Sequence, residues 1–280
     1  MGALLVNDSF ANNQKIWVVG GGKLGQAIVK GWLLSGINPD RLGIIDPKAN
    51  NKAFFQDIPD SVYRCSPDHL PELKNDKIVL AVKPQIMLSI LPTYQKAAVK
   101  GCDFLSVAAG ITIDVLQQHL NTPMVMRAMP NLPVAFGCGF IGCYAPSEAN
   151  PTISRQWIDL LEKLGLAITV LRESDLDTVT ALSGSAPAYL FLVAEILTSL
   201  AEQLGLPALT AKKMIAQTFL GSAMMMRQDK ISLAALREQV TSPKGTTAAA
   251  LEVLMGSSGL QPLFSQAVAA AIARARQLKT

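Results

Sequence analysis

Residues Lys15 to Gly36 read KIWVVGGGKLGQAIVKGWLLSG, and this stretch decides the fold. A short apolar run ends in three glycines, and a segment with helical spacing follows, stopped by Gly36. Gly20, Gly22 and Gly25 form a GxGxxG pattern between a strand and a helix, the context that gives the pattern meaning. The first glycine allows the tight turn. The second lets backbone approach a pyrophosphate, and the third lets the helix pack on the strand. The helix N-terminus then faces the phosphates. The competing reading is a plain glycine-rich turn.

Outward from this unit the pattern repeats. RLGIID, DKIVLAV, DFLSVAAG, PMVMRAMP, GFIGCYAP and AITVL read as further strands, with helical stretches such as MLSILPTYQKAAV and TIDVLQQHL between many of them. Such alternation implies a doubly wound parallel sheet. After Leu171 the texture changes. LDTVTALSGSAPAYLFLVAEILTSLAEQLG reads as one long apolar helical segment, and further helices follow to the end. We expect an α/β N-terminal domain of Rossmann type over residues 1–171, then an all-α domain over 172–280. Helices apolar all round must be buried, and so few cannot bury one another. The helical part is therefore expected to form a dimer.

Half of the 280 residues are hydrophobic and only 16% are charged, with a net charge of +4. Lys and Arg are scattered, so no nucleic-acid footprint is visible. The four cysteines form no CxxC, and the two histidines lie far from any cysteine pair. A metal site is not expected. Cys65, Cys102, Cys138 and Cys143 read as reduced thiols, which suits a cytoplasmic protein. No signal peptide is read at the N-terminus. The most apolar run, Ala186 to Ala201, starts at a proline, carries Glu195 and is read as short of a membrane span.

Candidate site residues lie mostly at strand ends. Asp46 closes the second strand, about 20 residues past the glycines, where a carboxylate accepts ribose hydroxyls and repels a 2′-phosphate. That favours NADH. Lys48 would attract a phosphate instead, and Asp46 also suits a simple turn before Pro47. Lys83-Pro84 ends another strand at the ligand-binding edge of the sheet. Ala108, Ala109 and Gly110 are small enough for a flat ring to approach. In MRAMPNLPV two prolines stiffen the loop and hold Asn131 in a fixed direction. Arg127 is read equally as an anion binder or a structural ion pair. Glu173 reads first as an acid favouring the dipole of the helix after it. His69 and His119 lie in polar contexts, and neither is read as catalytic. Finally, QVTSPKGTTAAALEVL, from Gln239 to Leu254, is a helix start rich in hydroxyls. Capping accounts for one hydroxyl there but not for Thr241, Ser242, Thr246 and Thr247 together.

The segments GGGKLG, LAVKPQ, AAGI, RAMPNLP, ALSGSAPAYLF, QTFLGSAMM and VTSPKGTTAAAL, in this order, resemble pyrroline-5-carboxylate reductases. The resemblance spans nearly the whole chain after the first dozen residues. It implies reduction of L-1-pyrroline-5-carboxylate to L-proline by NADPH or NADH, a C-terminal dimerisation domain, and a homodimer or a decamer of five dimers. It implies cofactor contacts at Val19, Gly20, Gly21, Gly22, Lys23, Leu24, Gly25 and the Asp46 region. Further contacts would fall on Ala81, Val82, Lys83, Pro84, Ala108 and Ala109, with Asn131 beside them. Substrate contacts fall on Thr246 and Thr247, with Ser242, Gly245 and Glu173. Thr247 would hydrogen-bond the ring nitrogen and assist its protonation, and Glu173 would offset the iminium charge. The site is expected at the domain interface, with helices of a second subunit. Three departures stand out. Lys244 replaces a family glycine in SPGG. His69 stands near a common Asn by the cofactor ribose, and Gln239 replaces an Asn that reaches the cofactor in some members. Two rivals remain at this point. One is a different reductase, although a β-hydroxyacid dehydrogenase would need a lysine that ALSGSAPAYLFLVAEIL lacks. The other is a non-catalytic dinucleotide sensor.

Overall fold

The computed structural model describes residues 14–47, 58–65, 72–228 and 231–277. Eight strands form one sheet in the order β3-β2-β1-β4-β5-β6-β7-β8. They are β1 (Ile16–Val19), β2 (Leu42–Ile45), β3 (Tyr63–Cys65), β4 (Lys77–Leu80), β5 (Asp103–Ser106), β6 (Val125–Pro130), β7 (Gly139–Tyr144) and β8 (Gly165–Thr169). The first six follow the dinucleotide-binding order and pair in parallel.

The sheet departs from the all-parallel expectation at β7, which runs antiparallel to β6. The link between them is a short 3-10 turn, Leu132–Phe136. A parallel return needs a crossover of a dozen or more residues, so the chain has room only to fold back. β8 then lies parallel to β7. Strand β3 has no counterpart in the sequence reading. It is three residues long, and its Tyr-Arg-Cys lacks the apolar alternation that marked the others.

Strands β1, β2, β4, β5 and β6 are buried along their whole lengths, as a sheet covered on both faces requires. One face packs on α1 (Lys23–Leu34) and α5 (Pro151–Glu162), with Trp32 and Trp157 wholly buried. The other packs on α2 (Pro84–Ile90), α3 (Gln95–Val99) and α4 (Ile113–Leu120) around Met87, Tyr94 and Phe104. Lys77 enters this interior with its Nζ 3.0 and 3.1 Å from the two oxygens of Asp103 and 4.8 Å from the Trp157 ring centroid. Burial pushes each of the two charged groups toward its neutral form, and each partner pulls the other back. Burial likewise raises the Cys102 thiol to about 11 and the Cys143 thiol to about 12, so both stay protonated near neutral pH.

The remaining helices are α6 (Asp175–Val179), α7 (Ala186–Gln203), α8 (Ala208–Met226), α9 (Leu233–Gln239), α10 (Thr246–Leu254) and α11 (Leu260–Gln277). A π turn, Thr180–Gly184, joins α6 to α7, so the segment read as one uniform helix carries an irregular turn. Contacts divide the chain after Ser185, not after Leu171, and Ala271 onward groups with the first unit. The reason lies in α6 and the π turn, which pack on β6 and β7. Gly142 of β7, for instance, faces Val179 so closely that a Cβ there would sit 2.9 Å from both its methyls.

The second unit, Ala186–Ala270, buries little by itself. Ala201 is the sole buried residue of α7, and α10 has none. The helical run Asp175–Gln203 is long and apolar enough to cross a membrane, which corrects the shorter span read from sequence.

Candidate active site

In the unit that holds the sheet, a cavity of about 690 Å³ opens at the carboxyl ends of the strands. Its lining comes from the glycine loop (Gly22, Lys23, Leu24), the end of β4 (Ala81 to Pro84), the end of β5 (Val107 to Ala109), the end of β6 (Met129 to Leu132) and the π turn (Thr180, Gly184, Ser185).

Each glycine of the loop has its own reason. Gly20 has φ +108°, and a Cβ there would lie 2.8 Å from the Ala81 carbonyl oxygen. A Cβ on Gly25 would collide with the Gly20 carbonyl oxygen, so this glycine sets how closely α1 packs on β1. Gly22 is different: nothing lies within 4 Å of a Cβ built there, yet it lines the cavity. Gly22 also serves as N-cap of α1 without any side-chain cap. An uncapped helix start with open space before it is a place for phosphate.

Asp46 lies beside this loop, accepting a 2.6 Å hydrogen bond from the Gly21 N–H. That contact fixes a carboxylate at the end of β2. Val19 is buried behind the loop. Lys83, the N-cap of α2, is exposed at the rim. Ala108 and Ala109 give the cavity a flat apolar side. Asn131 is held as expected, by bonds the sequence does not reveal: its Oδ1 accepts from Phe140 N–H at 3.0 Å and its Nδ2 donates to Ser183 Oγ at 3.2 Å. The cavity therefore fits a dinucleotide in size, in its open glycine and in its free helix start. His69 and Lys48 fall outside the described residues.

Arg127 resolves into an ion pair rather than an anion binder. Its Nη1 donates to Glu173 Oε1 at 2.7 Å, and its side chain is 4% exposed. The same Glu173 oxygen accepts from Ile113 N–H at 2.8 Å, at the start of α4. Glu173 thus already has two partners, neither of them the dipole of its own helix. Sequence reasoning missed this pairing, although a charged residue in the middle of the buried strand VMRAMP demands a partner. It also left Thr180, Gly184 and Ser185 without a role, although ALSGSAPAYLF was among the marked segments.

In the second unit, Ser242, Pro243, Lys244 and Gly245 form a turn closed by Gly245 N–H to Ser242 carbonyl oxygen at 3.1 Å. Pro243 takes the second turn position and Lys244 the third, with φ +58°. A positive φ at that position is usually given to glycine. Gly245 is the N-cap of α10, again without a side-chain cap. Thr241 Oγ1 is engaged with the Arg237 carbonyl oxygen at 2.6 Å. Capping accordingly uses none of the hydroxyls of Ser242, Thr246 and Thr247, which stand beside an uncapped helix start. Gln239 ends α9 and is exposed.

Residues 173–278 match the family model described as pyrroline-5-carboxylate reductase dimerisation, and residues 15–110 match that of coenzyme F420-dependent NADP oxidoreductases. The chain is 33% identical to pyrroline-5-carboxylate reductase of Haemophilus influenzae over 264 residues, covering 94% of this chain and 96% of that one. Identity to the Pseudomonas aeruginosa enzyme of the same name is 34% over 270 residues, covering 94% and 96%. Among solved structures, Plasmodium falciparum pyrroline carboxylate reductase with NADP bound superposes with a TM-score of 0.82 at 25% identity, covering 97% of this chain and all of that one. A pyrroline-5-carboxylate reductase from Coxiella burnetii gives 0.81 at 31% identity, covering 96% and 100%.

Proposed function

Because the chain belongs to the pyrroline-5-carboxylate reductase family, we propose that it reduces the C=N bond of L-1-pyrroline-5-carboxylate to give L-proline. The observation that carries this reading is the presence, one in each unit, of two uncapped helix starts of different character. One opens at Gly22 onto a cavity sized for a dinucleotide, and the other opens at Gly245 among hydroxyls. The cofactor, NADPH or NADH, supplies a hydride when bound.

The chain's own residues bind and orient. The backbone of Gly20 to Leu24 holds the pyrophosphate, Asp46 reaches the adenosine ribose, and Ala81 to Pro84 with Ala108 and Ala109 border the nicotinamide end. Ser242, Gly245, Thr246 and Thr247 hold the substrate carboxylate at the start of α10. Thr247 Oγ1 hydrogen-bonds the ring nitrogen, accepting from its N–H once the imine is protonated. No strong side-chain acid is needed, since the imine arrives protonated and its carbon is then electrophilic. Glu173 supports the cofactor side instead of the iminium charge, because its carboxylate is engaged by Arg127 and Ile113. The working form is proposed to be a cytoplasmic homodimer, and a solution mass separates it from a decamer.

Loss of absorbance at 340 nm, followed with L-1-pyrroline-5-carboxylate and NADH or NADPH in turn, tests the reading. We expect turnover, and we expect Thr247→Ala to lower kcat. No turnover with either cofactor in folded protein would overturn the assignment, and an unchanged kcat in Thr247→Ala would remove that residue's role.

A further inference from the structure

Arg127 is almost wholly buried, and its guanidinium touches two elements that its own strand does not pair with at that end. Nη1 meets Glu173, and Nη2 points to the Ala108 carbonyl oxygen at 3.4 Å. Its Nε–H has no partner among the described residues. Glu173 in turn holds the first N–H of α4 at Ile113. One ion pair thus joins three pieces: β6, the loop from Ala108 to Ile113, and the segment that leads into α6. Two of these carry walls of the cavity. Ala108 and Ala109 form one side, and Thr180, Gly184 and Ser185 follow from the Glu173 segment.

Apolar packing buries Ala108 and Ile111, but packing alone fixes direction less sharply than a bonded ion pair. Gly110 has φ +80°, and the Ala108–Gly110 stretch has no side chain large enough to brace it. Among the described residues, the other bond from a side chain into this stretch is the 3.4 Å contact of Ala108 N–H with Ser106 Oγ. A buried charged pair is a poor source of stability compared with apolar packing, but it fixes geometry well when its remaining groups are bonded.

We propose that Arg127 and Glu173 are positioning residues: together they set the distance between the alanine wall and the π-turn wall, and so the seat of the nicotinamide ring. This rests on the proposed reductase reading. Neither residue needs to touch the substrate. A displacement of about 1 Å at a reacting centre is enough to lower a rate by about a hundredfold, so a strut of this kind has leverage over hydride transfer.

The test uses Glu173→Asp and Glu173→Gln in the full chain. Asp keeps the charge and loses the reach to Ile113. Gln keeps the reach and loses the charge. NADH and NADPH affinities are measured by fluorescence titration without substrate, alongside circular dichroism, KM and kcat. We expect native spectra, cofactor binding weakened by about tenfold or more in Glu173→Asp, and a matching fall in kcat with little change in KM for the imine. A purely stabilising role would lower the melting temperature and leave cofactor Kd and kcat unchanged, which would overturn the proposal. Should Arg127→Met also fold, it should reproduce the Asp phenotype, and wild-type values there would overturn the proposal equally. If wild type binds cofactor but does not reduce the imine, the reaction assignment fails while the titrations still decide the strut. If wild type binds neither cofactor, both fail.

Discussion

The sheet unit and the helical unit both carry long apolar runs, and they bury them to very different extents. In the sheet, Ile16, Val18, Ile78, Val79 and Phe104 are closed off by helices of the same unit. In α7, Leu190, Phe191 and Leu192 are successive and all more than half exposed. The first unit completes its own core, so its ligand cavity is framed by elements of that unit. The second presents a contiguous apolar surface that a single chain leaves in water, far beyond what scattered exposed residues explain. Its match to a dimerisation family and its low self-burial describe one property. The long apolar run Asp175–Gln203 belongs largely to that exposed surface.

The contrast breaks most visibly if an apolar residue of α7 is made charged. Phe191→Asp should abolish self-association and turnover together, read by light scattering and the 340 nm assay, while the sheet unit keeps its cofactor affinity. A fully active, associated variant would remove the distinction between the two units. A smaller and opposite kind of effect is expected at Lys77. Lys77→Met strands Asp103 as an unpaired buried carboxylate, which should cost about 3–5 kcal/mol in urea unfolding without changing the oligomeric mass. The smallest effect is expected at Lys244. Its φ of +58° is strained for a side chain, and Lys244→Gly should shift stability by no more than about 1 kcal/mol. Any change in KM for the imine then reports the lysine charge alone.

The same contrast governs what could be seen in sequence. The β1–α1 unit was legible because its constraints are local: Gly20 and Gly25 each answer to an atom a few residues or one strand away. The apolar strand runs were legible for a similar reason, since a strand buried on both faces carries few polar positions to confuse the pattern. What escaped depended on distance or on irregularity. β3 is too short to show a period. The antiparallel turn of β7 follows from loop length, which is readable only once both strand ends are fixed. The π turn has no compositional mark in TALSG. The Arg127–Glu173 pair spans 46 positions, and only the burial of β6 makes it necessary. The hydroxyl-rich start of α10 was visible as an oddity, and the structure sharpens it by showing that none of Ser242, Thr246 and Thr247 serves as the cap.

The most direct measurement is sedimentation of the active enzyme through a solution of L-1-pyrroline-5-carboxylate and reduced cofactor, with the moving boundary followed at 340 nm. A helical unit completed by a second copy requires that activity travel at twice the 29.9 kDa chain mass or at a larger even multiple of it. Activity travelling at the mass of a single chain would contradict it.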